Sequence, residues 1–281
     1  MEENAETSQL DENIRIMDNL ARIKHKIIVM SGKGGVGKST VAVNLALTLA
    51  SMGRKVGVMD VDIHGPDVAK LLGVEDARLE STGELIIPVA VNPNLSAMSM
   101  AFLLQDRDTP IIWRGPVKMT AIRQFLGEVA WGDLDYLVID LPPGTGDEPL
   151  TVAQMIPEGA WAVVVTTPQD LALLDSRKAI RFAEALNMNI AGVVENMAGL
   201  ECPHCGKSID LFKIGGGEKA AEEMNVNFLG RIPIDPQVVK MGDLGVPYVV
   251  DEPNELAPKA FHEIANNLED QISRGNTEKE A

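Results

Sequence analysis

The sequence predicts an α/β protein, a three-layer sandwich in which helices cover both faces of a mostly parallel sheet. Apolar runs of strand length alternate with helical patterns along the 281 residues, as is typical of βαβ units. Each strand run is almost continuously apolar, as expected for parallel strands that are buried on both faces. Aromatic residues make up only 4% of the chain, so we expect the core to consist mainly of aliphatic side chains. Right-handed crossovers complete the predicted sandwich.

The elements follow in chain order. Strands are predicted within residues 25–30, 55–62, 135–144, 160–168 and 189–197, with further candidates at 83–90, 95–100 and 227–234. Helices are predicted at Lys38–Ser51, where Gly53 provides the stop signal, and at about 115–130, 148–156 and 170–187. The first 24 residues are charged and predict a loosely packed helix or a tail, and residues 273–281 predict a frayed polar tail. Residues 25–272 are therefore expected to form one domain.

Composition and charge restrict the function classes. The formal net charge is −16, which disfavours nucleic acid and anionic membrane surfaces as partners. The N-terminus lacks the apolar core of a signal peptide, and no apolar run of about 18 residues predicts a membrane span. Two cysteines are too few for a disulfide scaffold. We expect a cytoplasmic protein with reduced thiols.

A phosphate-binding loop joins the first strand to the first helix. Residues 32–39 read GKGGVGKS and fit G-x-x-x-x-G-K-[ST] in the required strand–loop–helix context. Glycines let backbone N–H groups approach phosphate oxygens, and the helix N-terminus adds a favourable dipole. Lys38 is expected to reach the β- and γ-phosphates, Ser39 to bind Mg²⁺, and Thr40 to contact the α-phosphate. The predicted nucleotide-binding residues of the loop are Gly32, Lys33, Gly34, Gly35, Val36, Gly37, Lys38, Ser39 and Thr40.

Three aspartates end predicted strands. Asp60 and Asp62 are two residues apart, so their side chains point the same way from an extended backbone. Asp140 follows four apolar strand residues, as a Walker B aspartate that supports the Mg²⁺ water shell would. The Gly144 N–H lies in the next turn and is placed to sense a γ-phosphate. A helix N-cap or a solvated turn is the alternative interpretation of any single aspartate.

The only two cysteines, Cys202 and Cys205, are separated by Pro203 and His204. A redox dithiol would need a helix to begin at the first cysteine, whereas Gly206 and a strand pattern follow. A zinc knuckle would need two further ligands. Two copies of the chain would supply four thiolates across a two-fold axis, which suits either a [4Fe–4S] cluster or zinc.

Several motifs together resemble one family. SGKGGVGKST, with its early Lys33, resembles the deviant Walker A loop of SIMIBI-class P-loop ATPases, which include MinD/ParA proteins, the nitrogenase iron protein and the Mrp (ApbC-type) iron–sulfur carriers. DLPPGTGD at 140–147, WRGP at 113–116 and the late C-x-x-C narrow the resemblance to the Mrp family. The resemblance extends over about residues 26–250.

The resemblance implies a slowly hydrolysing ATPase that carries a [4Fe–4S] cluster between two subunits and transfers it to apo-proteins. In a homodimer, Lys33 would reach the nucleotide of the partner chain. Lys33, Lys38 and Asp62 would be catalytic, with Asp62 orienting the attacking water, and Asp60 would be a more distant group near Mg²⁺. Asn196 would contact the adenine and Pro233 would flank it.

Other functions remain open at this point. A MinD/ParA-like positioning ATPase would favour a basic amphipathic segment, whereas the C-terminal stretch is acidic. An electron donor of the iron-protein type would be expected to carry its cysteines nearer to residues 140–147. A zinc-bridged dimer with a regulatory ATPase role fits the thiolate count equally well, and spacing alone does not choose between zinc and iron–sulfur.

Overall fold

The computed structural model describes residues 2–63, 65–103, 115–156, 159–202, 205–209 and 211–280. Its strands are β1 (Ile23–Met30), β2 (Val56–Asp60), β3 (Glu80–Thr82), β4 (Leu85–Ile87), β5 (Val89–Asn92), β6 (Leu95–Ser99), β7 (Leu134–Asp140), β8 (Trp161–Thr166), β9 (Asn189–Glu195), β10 (Leu200–Glu201), β11 (Ser208–Ile209) and β12 (Phe228–Arg231). Its helices are α1 (Glu2–Ala21), α2 (Lys38–Ser51), α3 (Val68–Leu71), α4 (Gly115–Gly127), α5 (Asp147–Met155), α6 (Asp170–Ala185), α7 (Gly216–Met224), α8 (Pro236–Asp243), α9 (Tyr248–Asp251) and α10 (Leu256–Glu280).

The central sheet has eight strands in the order β12-β9-β8-β1-β7-β2-β6-β5. All neighbouring pairs are parallel except β5 and β6, which are antiparallel at one edge. The predicted three-layer α/β sandwich is thus confirmed. Because these strands are parallel, their carboxyl ends lie along the same side of the sheet. The loops after β1, β2, β7, β8 and β9 all leave from this side, where ligands bind in open α/β folds.

Successive side chains of each strand point to opposite faces of the sheet, so each face has its own hydrophobic core. In β1, Ile27 and Val29 belong to a core shared with α2 and α10, whereas Ile28 and Met30 belong to the core on the other face. The second core includes apolar side chains of α1, α4, α5, α6 and α7. Burial on both faces explains why the strands are continuously apolar in sequence.

The N-terminal segment is a helix that packs firmly on α4. Ile16 and Leu20 are buried in the second core, and the Asn19 side-chain amide donates to the Leu126 and Val129 carbonyls at 2.7 and 2.9 Å. Of the two predicted alternatives, a helix or a tail, the structure selects the helix. Residues 23–24 already belong to β1.

Two predictions differ from the structure, and several helices were not predicted. Residues 83–90 form no single strand, because Pro88 separates β4, which pairs with β3, from β5, which joins the sheet. Residues 273–280, predicted to be a frayed tail, continue α10, whose buried face includes Leu268 and Ile272. Helices α3, α7, α8, α9 and α10 were not predicted. The domain limits at residues 25 and 272 stay a prediction.

Packing of α1 leads to a first prediction. Replacing Leu20 with alanine should lower the free energy of unfolding by about 2–5 kcal/mol, because it removes buried methyl groups and leaves a cavity. Leu10 lies on the same helix but is 60% exposed, so Leu10→Ala should change it by less than about 0.5 kcal/mol. Urea unfolding of both variants measures the difference. Equal unfolding midpoints for the Leu20→Ala variant and the natural chain would contradict the packing described here.

Candidate functional site

The phosphate loop connects β1 to α2 and contains the predicted glycine sequence. Gly35 and Gly37 have left-handed backbones, with φ of 78° and 79°, which favour glycine over any residue with a side chain. Gly32 lies so close to α6 that an added Cβ would be 2.0 Å from the Asp175 carbonyl oxygen. Local geometry and close packing both therefore require glycine in this loop.

The loop opens onto a cavity of about 370 Å³. Its lining combines loop residues with groups from neighbouring elements, namely Ser31, Lys33, Gly34, Gly35, Gly37, Lys38, Ser39, Thr40, Asp62, Gly65, Asp67, Lys70, Leu71, Pro143, Gly242 and Asp243. Of the predicted loop residues, Thr40 lines the cavity, whereas Gly32 and Val36 are not part of its lining and Val36 is buried. Lys70 and Asp243, which form an ion pair at 3.7 Å across it, were not foreseen.

A buried ion pair joins the loop to β7. The Lys38 ammonium group donates to Asp140 Oδ1 at 2.5 Å, and both side chains are almost completely buried. The same ammonium group lies 3.4 Å from the Ser39 hydroxyl. In the part of the chain described, Asp140 Oδ2 is buried without a hydrogen-bond partner. The donor set of Ser39 and Asp140 therefore fits a hard divalent cation or its water shell, which prefer oxygen ligands.

Asp60 lies beside Asp140, but its carboxylate bonds groups in the loop after β2 and in β6. The two residues are register partners on β2 and β7, and Ser99 is the partner of Asp60 on β6. Asp60 Oδ1 accepts the Asp62 N–H at 3.0 Å, and Oδ2 accepts the Ser99 hydroxyl at 2.7 Å. Val68 N–H lies 3.4 Å from the same Oδ2. Asp60 thus fixes the loop after β2 from within the protein, and Ser99 is a partner that the sequence did not reveal.

Asp62 lies on that loop and lines the cavity. Its Oδ1 accepts the Gly65 N–H at 3.3 Å, and its side chain is largely buried. Lys33 is half-buried and lines the same cavity. Gly144, with φ of 93°, donates its N–H to the Ser31 carbonyl at 2.9 Å. The group predicted to sense a γ-phosphate therefore bonds the start of the phosphate loop in this structure.

Burial controls the acidity of the two adjacent aspartates. Burial, together with the Asp140 carboxylate, raises the pKa of Asp60 well above its ordinary value of 3.8. Burial also raises the pKa of Asp140, although the Lys38 ammonium group opposes the shift. Two buried carboxylates thus lie beside one buried ammonium group, which bonds Asp140, and a divalent cation would favour their charged forms.

The two residues predicted to contact the nucleotide base, Asn196 and Pro233, lie at different sites. Asn196 follows β9, and its side-chain amide donates to the Val36 carbonyl of the phosphate loop at 2.9 Å. Pro233 does not line the loop cavity but a second one of about 870 Å³, together with Cys202, Asp235 and Tyr248. Met241, which lines the second cavity, and Gly242, which lines the first, are consecutive residues of α8.

The two cysteines lie in the connection between β10 and β11, which form a small antiparallel hairpin. Cys202 is half-buried, Cys205 is exposed, and neither forms a disulfide. The Cys202 N–H donates to the Lys207 carbonyl and the Gly206 N–H donates to the Cys202 carbonyl, each at 2.9 Å. Pro203 and His204 lie outside the described residues. Among the described residues, no group of three or more His, Cys, Asp or Glu side chains is arranged to hold a metal ion.

Comparison with known protein families identifies the family of this chain. The family model described as the ParA-type NUBPL iron-transfer P-loop NTPase matches residues 22–269. The chain belongs to this family. The resemblance that the phosphate loop, DLPPGTGD and the C-x-x-C predicted is therefore confirmed, although Trp113 and Arg114 of the WRGP motif lie outside the described residues.

Relatives of this NUBPL-family chain include proteins named as iron–sulfur carriers. An iron-sulfur cluster carrier protein of Methanocaldococcus jannaschii is 52% identical over 239 residues, which cover 85% of this chain and 82% of the relative. A solved nucleotide-binding protein from Archaeoglobus fulgidus, in complex with ADP and with cobalt found in it, is 42% identical at a TM-score of 0.76 and covers 89% of this chain and 96% of its own. The cell division ATPase MinD of Pyrococcus furiosus is 25% identical at a TM-score of 0.64 and covers 88% of this chain and 99% of its own.

Among the helices described for this NUBPL-family chain, none is both long enough and apolar enough to cross a bilayer.

The buried ion pair generates a second prediction. Lys38→Met should destabilise the ligand-free protein by about 3–5 kcal/mol at neutral pH, because it leaves the buried Asp140 carboxylate without its cation. The variant should raise the pKa of Asp140 in the folded protein still further above the value in the unfolded chain. The folded state then retains a proton that the unfolded chain releases near 3.8. Stability is accordingly retained below that pH and lost as pH rises through the raised pKa, by at most about 1.4 kcal/mol per pH unit for one proton.

Urea unfolding at pH 5 and pH 8, without nucleotide or divalent metal, measures this effect. The gap between Lys38→Met and the natural chain should widen from the lower to the higher pH. Lys33→Met, in the same loop, is the matched control and should show a gap that does not change with pH. An equal loss of stability for Lys38→Met at both pH values would argue against the ion pair.

Proposed function

We propose that this chain is an ATP-hydrolysing iron–sulfur cluster carrier, in which two copies hold a [4Fe–4S] cluster between their Cys202 and Cys205 thiolates and transfer it to apo-proteins. The observation that carries the proposal is that a phosphate loop and a hairpin with two cysteines that form no disulfide follow strands of one parallel sheet, after β1 and after β9. The cluster is the cargo of the protein. ATP and Mg²⁺ are the groups that its phosphate loop would bind.

Nucleotide binding would exchange the partners of Lys38. The ammonium group, which bonds Asp140 in the structure, would turn to the β- and γ-phosphates, while Thr40 and the loop amides bind the remaining phosphate oxygens. Mg²⁺ would neutralise charge on the phosphates, with Ser39 and Asp140 holding it or its water ligands. Asp60 would hold the loop that carries Asp62, because hydrogen bonds from inside the protein already engage both its oxygens.

Hydrolysis would consist of attack by water on the γ-phosphorus, with ADP as the leaving group. Asp62 lines the cavity and would orient that water. Lys33 of the partner chain would add positive charge where the transition state becomes negative. The Gly144 N–H would leave the Ser31 carbonyl to bond the γ-phosphate and return after hydrolysis, which makes the turn after β7 a switch.

The nucleotide base would lie towards the second cavity, which is lined by Pro233. Asn196 would contact the adenine with the part of its amide that does not bond the Val36 carbonyl. Helix α8 contributes to both cavities, through Gly242 to the first and Met241 to the second.

Cluster binding would need two chains. One chain offers two thiolates, and a [4Fe–4S] cluster takes four. Isologous pairing of the two hairpins would supply them without any other cysteine. Exposure of Cys205 would allow the thiolates of a recipient protein to reach the cluster. The carrier names of relatives such as the Methanocaldococcus jannaschii protein support this cargo.

The cysteines provide the test of the cargo. After anaerobic reconstitution, the protein should be a dimer with about four iron and four sulfide per two chains and a thiolate-to-iron absorption band. Cys202→Ala and Cys205→Ala should each lose the band. His204→Ala, between the two cysteines in sequence, is the matched control and should keep it.

Two outcomes would reject the carrier function. The first is zinc at this site with no iron or sulfide, which would favour a zinc-bridged regulatory ATPase. The second is a monomer that holds the complete cluster, since then no symmetric partner would be required.

A complementation experiment tests the role of Lys33 across the dimer. Lys33→Ala and Asp62→Ala should each bind ATP but hydrolyse it at least about tenfold more slowly. If Lys33 serves the partner's nucleotide, a mixed dimer of the two variants has one intact site, so mixing should restore about a quarter of the natural rate. No recovery on mixing would place Lys33 at the nucleotide of its own chain. Lys38→Ala is the reference variant, which should lose nucleotide binding altogether.

A further inference from the structure

A fourth buried carboxylate, Glu195, ends β9 and plays no part in the phosphate site. Its side chain is completely buried. Oε1 accepts the Gly215 N–H at 2.9 Å, and Oε2 accepts the Gly217 N–H. The guanidinium group of Arg231 lies 3.6 Å from Oε1. The sequence carries the same signal for Glu195 as for Asp140, since both are acidic residues at the end of an apolar strand.

These hydrogen bonds close a loop of chain that contains both cysteines. We define the cysteine segment as residues 197–214, which leave the sheet after Asn196 and return at Gly215. The outgoing end is held by β12 and the residues after it, because the Ala198 N–H donates to the Ile232 carbonyl at 2.9 Å. The returning end is held by Glu195. Both ends of the segment are therefore attached close to one point at the end of β9.

The segment has little freedom at these attachment points. Met197 and Lys213, one at each end, are non-glycine residues with left-handed backbones, at φ of 58° and 69°, a conformation that bulky side chains rarely adopt. An added Cβ on Gly217 would lie 2.9 Å from Glu195 Cβ. A small shift at the end of β9 would accordingly move the whole segment, because close packing leaves no room to absorb it.

The residue next to Glu195 contacts the other site. The Asn196 side-chain amide donates to the Val36 carbonyl, and an added Cβ on Gly37 would lie 2.3 Å from that amide nitrogen. Two consecutive residues at the end of β9 thus touch both sites. Asn196 contacts the phosphate loop, and Glu195 holds the cysteine segment.

We propose that Glu195 is a positioning residue that transmits the state of the phosphate loop to the cysteine segment. Nucleotide binding orders the phosphate loop, the loop fixes Asn196, and the Glu195 carboxylate carries that order to the backbone at Gly215 and Gly217. The cysteine segment then opens less often when nucleotide is bound. The proposal rests on the proposed function for the role of the cysteines, but its test needs no metal.

The test measures how fast Cys202 reacts with N-ethylmaleimide. Cys202 is half-buried, so opening of the segment should expose its thiol further and speed the reaction. All proteins carry Cys205→Ser, so that one thiol reacts, and are stripped of metal before Mg²⁺ is added. Saturating ADP with Mg²⁺ should slow the reaction about fivefold or more, which is the range of ordinary coupling between two sites.

Glu195→Gln keeps the size of the side chain but places an NH₂ group against a backbone N–H donor. This variant should react faster without nucleotide, and ADP should slow it less than about twofold. Its affinity for a fluorescent ADP analogue should stay within about threefold, because the contact with the phosphate loop is made by Asn196. Glu218→Gln is the matched control. Glu218 also bonds Arg231, at 2.7 Å, but lies at the surface, so this variant should keep the full effect of ADP.

A second variant reaches the same contact from the other side. Gly217→Ala leaves the carboxylate in place but pushes the returning end away from it, and alanine is favourable in a helix, so the protein should fold. It should lose the ADP effect as Glu195→Gln does, and it decides the matter if Glu195→Gln does not fold.

The proposal is overturned if ADP binds but does not alter the reaction of Cys202 in the protein with natural Glu195. It is also overturned if both variants, Glu195→Gln and Gly217→Ala, keep the ADP effect. Neither result bears on the iron content of the reconstituted dimer, so failure of this coupling and failure of the carrier function are read from different measurements.

Discussion

The structure depends on burying two carboxylates and one ammonium group side by side at the ends of parallel strands. Register between β2 and β7 makes Asp60 and Asp140 neighbours, and the phosphate loop brings Lys38 onto Asp140. The two carboxylates have different partners. Asp60 accepts hydrogen bonds from backbone N–H groups and from the Ser99 hydroxyl on both of its oxygens. Asp140 accepts one from Lys38 on Oδ1, and its Oδ2 has no hydrogen-bond partner among the described residues. The unsatisfied Asp140 oxygen is a donor of the kind that hard divalent cations prefer.

The end of β9 also carries a buried carboxylate, but this one has different partners. Glu195 is as deeply buried as Asp140, yet its charge is met by backbone N–H groups and by Arg231 rather than by a lysine. A carboxylate held in this way is a fixed attachment point, since each hydrogen bond to a charged acceptor is stronger than a neutral one. The phosphate loop and the cysteine segment consequently share one rigid strand end, and this physical link makes control of the thiols by nucleotide reasonable.

The fold alone would not distinguish a cluster carrier from a cell division ATPase. The Pyrococcus furiosus MinD structure covers 88% of this chain at a TM-score of 0.64, and function resides in sites placed on a fold. What favours the carrier is the hairpin between β9 and α7, with a half-buried and an exposed thiol, together with relatives whose names state that cargo. Slow hydrolysis that drives a conformational change would serve either class, so the cysteines and not the phosphate loop decide the proposal.

The sequence by itself determined the parallel sheet, the phosphate loop and the two thiols, because continuous apolar runs and motifs of fixed spacing report local requirements that tertiary contacts do not alter. Residues such as Lys38, Asp60 and Asp140 could be assigned to one edge for the same reason. Only the tertiary structure showed that Ser99 bonds Asp60, that the Gly144 N–H and the Asn196 amide already bond the loop, that Pro233 lines a separate cavity, and that α10 continues to Glu280. These facts depend on strand register and on contacts between residues far apart in sequence, which no local pattern of residues encodes.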